Sequence, residues 1–141
     1  FGKAVTLREG GDVAILATGG VVANALEAAD RLRHDHGVGC RVLNIHTIKP
    51  LDVAAVIESA EKCRRVVTVE DHTVVGGLGG AVAEVLAAAG MGAKLLRIGV
   101  RDVFGESGSP EGLYKKYGFD AGGIEKSVFA FVDARASKDN A

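Results

Sequence analysis

The chain has 141 residues, 48% of them apolar, and its 17 basic side chains stand against 18 acidic ones for a net charge of -1. That length fits one domain able to bury about 68% of its unfolded surface, and the near-zero charge removes the electrostatic case for nucleic acid or an anionic membrane. Tryptophan is absent and aromatics are 5%, so there is no stacking platform for single strands, and no apolar run reaches the ~20 residues of a membrane span.

Residues 5–7 and 13–16 read as strands, with Gly10-Gly11 between them. A glycine pair supplies the positive φ angles of a tight primed turn, so these strands are expected to form an antiparallel hairpin. Thr18-Gly19-Gly20 breaks the second strand, after which Val22, Leu26, Ala29 and Leu32 recur at helical spacing. Residues 40–45 form a third strand. Lys49-Pro50-Leu51 then turns the chain, and Asp52 is placed to cap a helix carrying Val53, Val56, Ile57 and Ala60. Residues 65–69, nearly all β-branched, make a fourth strand. Ala81, Val82, Val85, Leu86 and Ala89 form a helical stripe closed by Gly90, and residues 94–100 are the fifth strand. Ser109-Pro110 opens a helix that Gly118 closes, and Asp120 caps a last one with Ile124, Ser127, Val128 and Phe131 on one face. The domain is expected over 1–133, with 134–141 a polar tail.

Strands alternating with helices imply crossovers and a mostly parallel sheet covered on both faces. The expected fold is a three-layer α/β/α domain with a five-stranded mixed sheet, its first strand antiparallel to the rest. A chain opening at Phe1 rather than Met reads as a piece cut from something longer.

Glu70-Asp71-His72, followed by Gly76-Gly77-Leu78-Gly79-Gly80, is the stretch with most chemical promise. Ligands of open sheets gather beyond strand carboxyl ends, histidine is the usual base near neutral pH, and a glycine-rich helix start offers N–H groups to an anion. Against a self-contained site, the dinucleotide fingerprint lacks its third glycine, where Val82 stands, and the P-loop Lys with Ser or Thr is missing. On the competing reading the glycines let helix and strand approach closely while the acids cap backbone amides. An independent anion- or nucleotide-binding regulatory module stays open as a third reading.

Thr18-Gly19-Gly20 is a second such turn, without a basic side chain. His46 reads as a hydrogen-bonded structural histidine, and His34 and His36, beside Asp35, suit a helix C-terminus. Phe104, in the connection 101–108, is expected to pack against another surface. Cys40 and Cys63, in no CxxC pair, read as buried thiols of a reducing cytoplasm.

The segments LATGG, HTIKPLD, VVTVEDHTVVGGLGGAVAEVL and RIGVRDVFGESGSPEGLYKKYG, in that order, resemble the C-terminal domain of transketolases over residues 4–131. The resemblance extends in particular to forms encoded as separate N- and C-terminal sections. The same domain type occurs in deoxyxylulose-phosphate synthases and in beta subunits of 2-oxo-acid dehydrogenases; FGESG and the following Leu-x-x-x-Tyr-Gly favour transketolase. The resemblance implies a cytoplasmic, homodimeric enzyme of the pentose phosphate pathway, dependent on thiamine diphosphate and a divalent metal (Mg or Ca). Such an enzyme passes two-carbon ketol units between phosphosugars, and this domain packs on its pyrimidine domain, beside an N-terminal domain. In that family a G-D-G…N segment holds the diphosphate and metal, whereas here Gly11-Asp12 is followed by Val13. The resemblance therefore implies no catalytic, cofactor-binding or metal-binding residue in this chain, and an isolated chain without activity. Glu70, Asp71, His72, Gly76, Gly77 and Phe104 remain as candidates for the active-site funnel or an interface, His72 nearest the funnel. Two residues depart from the family pattern: Gly20 stands where serine is common, and Arg101 where proline is frequent.

Overall fold

The computed structural model describes residues 2–100 and 109–133; Arg101, Phe104 and the tail from residue 134 lie outside them. In chain order the elements are β1 (Val5–Arg8), β2 (Val13–Ala17), a 3-10 turn (Gly19–Val21) leading into α1 (Val22–His36), and β3 (Cys40–Asn44). After these come α2 (Val53–Cys63), β4 (Arg65–Thr73), α3 (Leu78–Ala88), β5 (Lys94–Val100), α4 (Pro110–Tyr117) and α5 (Ala121–Val132).

The five strands lie in the order β1-β3-β2-β4-β5. β1 is antiparallel to β3, and the β2–β3, β2–β4 and β4–β5 pairs are parallel. β2 sits at the centre and is wholly buried, so its side chains alternate between two apolar layers. Val13, Ile15, Val67 and Val69 meet Ala25 and Leu32 of α1 and Ile124 and Val128 of α5. On the other face Ala14, Leu16, Leu43 and Val66 meet Val56 and Ala60 of α2 and Leu78, Val82 and Leu86 of α3. This is the expected mixed sheet between helical layers.

The caps follow the sequence. Asp52 accepts a hydrogen bond from the Ala55 N–H, Ser109 from Gly112 and Asp120 from Gly123. Asp52 also accepts from the Ala4 N–H at 2.8 Å, fastening the approach to β1 onto the start of α2.

The hairpin expectation is corrected. β1 does run antiparallel, but it pairs with β3, and Val5 faces Asn44. The Glu9–Asp12 connection passes over the beginning of β3, two strand spacings or about 9.6 Å, which four residues at about 3.3 Å each can span. Gly10 and Gly11 do not take positive φ. A Cβ on Gly10 would stand 2.5 Å from the Cys40 backbone, so glycine is there because the connection crosses in contact with β3. Side chains hold the crossing in place. The Arg41 guanidinium, 3% exposed, reaches both Glu9 oxygens at 3.0 and 2.9 Å, and Asp12 accepts from the Gly39 N–H at 2.7 Å.

Two helical faces also shift. Val53 is 45% exposed and belongs to no core, while Ser59 and Cys63 are buried beside Val56 and Ala60. In α1 the buried stripe is Ala25, Ala28, Ala29 and Leu32, with Val22 and Leu26 packed at its edge.

Candidate functional site

β2 passes the chain on to β3 on one side, and β4 passes it to β5 on the other. The strand order thus reverses between β2 and β4, the position where open α/β sheets bind ligands at the carboxyl ends of their strands. Thr18-Gly19-Gly20 and Glu70-Asp71-His72 meet there.

The three residues are not beyond the strand, as the sequence suggested. β4 continues to Thr73, with an irregularity in its register to β5 between Val69 and Thr73. Glu70 is 1% exposed. One carboxylate oxygen accepts the Leu78 N–H at 2.9 Å and the other accepts the Gly79 N–H at 2.7 Å. These are free amides of the first turn of α3, at the positive end of its dipole, so the buried charge is compensated there. Gly77 makes the approach possible, because a Cβ at that position would land on the Glu70 carboxylate and within 2.9 Å of the Thr73 carbonyl. Glycines that permit close packing and an acid that caps amides account for this half of the motif.

Asp71 turns to the other face and is exposed. Its carboxylate accepts a hydrogen bond from the Tyr114 hydroxyl at 2.8 Å, tying α4 to the end of β4. That bond, with some burial, raises the Tyr114 pKa above its ordinary value of 10.0, since the phenol gives up its proton less readily beside an anion. Gly20 leaves room for the contact: a Cβ there would stand 2.8 Å from the Tyr114 oxygen. A serine at this position would press on that hydroxyl.

His72 is exposed, its Nδ1 3.1 Å from the Thr73 carbonyl oxygen. Gly76, at φ +77, sits at the turn into α3. The other histidines find separate partners. His34 lies 2.8 Å from Asp35, His46 lies 2.9 Å from the Thr47 hydroxyl, and His36 stacks on Phe129 with its Nε2 3.3 Å from Glu125. Among the described residues no three His, Cys, Asp or Glu side chains come together in a way that could hold a metal ion. Cys40 and Cys63 are buried free thiols, and burial pushes Cys40 up to about 12. Sequence reasoning passed over Tyr114, which reaches Asp71 across 43 positions, and nothing local marks it.

The two glycine-rich turns do not fit a diphosphate. The first-turn amides of α3 are occupied by the Glu70 carboxylate, and the Thr18–Gly20 turn faces the Asp71 carboxylate, 3.4 Å from where a Gly19 Cβ would stand. A phosphate group would meet negative charge at both turns, so no step through thiamine diphosphate is derived from these residues. What the arrangement does is brace the strand ends: one acid fixes α3 to β4 and the other fixes α4 to β4.

Comparison with known proteins gives a consistent picture. The family model described as "Transketolase, C-terminal domain" matches residues 2–124. The 6-deoxy-6-sulfo-D-fructose transketolase subunit SqwH of Clostridium sp. (strain MSTE9) is 52% identical over 135 residues, covering 96% of this chain and 41% of that protein. A 1-deoxy-D-xylulose-5-phosphate synthase of Synechococcus sp. (strain JA-2-3B'a(2-13)) is 43% identical over 138 residues, covering 98% of this chain and 21% of the synthase. Among solved structures, "Split gene transketolase, inactive beta4 tetramer" superposes with a TM-score of 0.84 at 44% identity, covering 90% of this chain and 41% of that one. The chain thus spans about two fifths of one curated relative and a fifth of the other.

Proposed function

This chain belongs to the transketolase C-terminal domain family, and from that premise we propose that it is the non-catalytic, interface-building domain of a transketolase. The parent enzyme transfers two-carbon ketol units between phosphosugars with thiamine diphosphate and a divalent metal, chemistry that the cofactor supplies. The domain packs on the pyrimidine domain, supports the dimer of a cytoplasmic enzyme, and turns its strand-end loops, His72 foremost, towards the active-site entrance. Alone it is inactive.

The observation that carries this reading is the engagement of both acids. Glu70 is buried with both oxygens on backbone amides, and Asp71 accepts the Tyr114 hydroxyl, so each acid is used to hold a helix to the end of β4. Two measurements test it. Calorimetric titration of the chain with thiamine diphosphate, sugar phosphates and nucleotides is expected to give no heat; micromolar binding of a nucleotide would reject the reading in favour of a regulatory module. In the assembled enzyme His72→Ala is expected to raise KM more than it lowers kcat, and a collapse of kcat with KM and assembly unchanged would show a catalytic part for this domain.

The deoxyxylulose-phosphate synthase relative, matched over 98% of the chain, supports a second reading as the equivalent domain of such a synthase. Formation of 1-deoxy-D-xylulose 5-phosphate by the assembled enzyme, in place of ketol transfer between phosphosugars, would select it.

A further inference from the structure

An open groove of about 790 Å³ runs between α2 and α3, lined mainly by apolar side chains that include Ile48, Leu51, Val53, Ile57, Ala81 and Val85. Val53 is 45% exposed, although α2 has a complete core face without it. Val75, in the turn that enters α3 beside the groove-lining Gly76, is 67% exposed. Apolar surface gathered along one groove marks a contact site.

Where the polypeptide meets the fold identifies the occupant. Ala4 is fastened to Asp52, between the groove residues Leu51 and Val53, and a Cβ on Gly2 would stand 3.4 Å from the Pro50 ring. In SqwH and in the split-gene transketolase more than half of the chain lies outside the matched part, and the family is by its description the C-terminal domain. Polypeptide preceding this domain therefore arrives at the lip of the groove. Resting on the transketolase reading above, we infer that the α2–α3 groove is the face on which the preceding section of the enzyme docks, through an amphipathic element whose apolar side fills it. The α1–α5 face and the outer edge of β5 are then not that interface.

Hydrogen exchange of this chain, alone and in the assembled enzyme, tests the placement. Amides of α2 and α3 are expected to exchange about tenfold or more slowly on assembly, and those of α1 to change little. Val53→Asp and Val75→Asp, at exposed positions, are expected to leave the denaturation midpoint of the isolated chain within error while weakening assembly about tenfold or more. Slowed exchange confined to α1, α5 or β5, or undiminished assembly by both variants, would overturn the inference and leave the transketolase reading standing. A chain that associates with no preceding section would remove the transketolase reading itself.

Discussion

Replacing Glu70 by glutamine is the sharpest perturbation the structure offers, because it keeps the side chain's shape and removes its charge. The carboxylate uses both oxygens, at 2.9 and 2.7 Å, on amides at the start of α3, and it is 1% exposed. Glutamine keeps one acceptor and sets an NH2 group against the other amide. A buried N–H left without an acceptor costs about 1–3 kcal/mol, and the lost charge–dipole attraction at a buried helix start adds up to about 2, so the expected loss is about 2–4 kcal/mol. Urea denaturation followed by circular dichroism reads this directly. With a slope of about 2 kcal/mol per molar the midpoint falls by about 1–2 M while the slope is unchanged. Glu70→Ala, which removes both acceptors, should lose at least as much. A Glu70→Gln protein within about 0.5 kcal/mol of the parent would refute the claim that this acid clamps α3 to β4.

Gly77→Ala should cost about 1–3 kcal/mol, because the added methyl collides with the same carboxylate. In a Glu70→Ala background it should cost measurably less, a coupling that a double-mutant cycle in urea reads. Asp52→Ala should lose about 1 kcal/mol or more, having capped α2 and held Ala4. Hydrogen bonds from the Ala4 and Ala55 amides lower the Asp52 pKa from 3.8, so its contribution is complete above that value and lost as pH falls through the lowered folded one. Melting temperatures of parent and variant should therefore differ at pH 6 and converge in strong acid.

The elements and their order were legible because their signals are local. A valine-rich run, a capping Asp or Ser, and a helical stripe each lie within a dozen residues, and the Asp52, Ser109 and Asp120 caps sit where the sequence puts them. Pairing is not local. β1 and β2 are neighbours in sequence, yet β3 enters between them, and four residues suffice either for a hairpin or for a crossing over one strand. The end of β4 was concealed by chemistry: Asp and, less strongly, Glu disfavour strands, and the α3 amides that compensate the buried Glu70 are invisible to a linear reading. Phe119, absent from the expected core, is a different case. It follows Gly118, its N–H bonds back to the Tyr114 carbonyl, and its ring is buried beside Tyr114 and Tyr117. A hydrophobe after a glycine cap is a known accompaniment of that motif, so this signal was present. The candidate site divides the same way: its glycines and acids stood out, whereas Tyr114, which joins them, did not.

The edge position of β1 carries a liability. Among the described residues, its four line the outer edge of β3, whose Val42 and Leu43 are fully buried. Should that short ribbon peel away, or be clipped by a protease after Arg8, an apolar edge would be bared with its amides and carbonyls unmatched, a template on which other chains could stack. The hydrogen bond from the Ala4 amide to Asp52 therefore secures this edge strand as well as the start of α2.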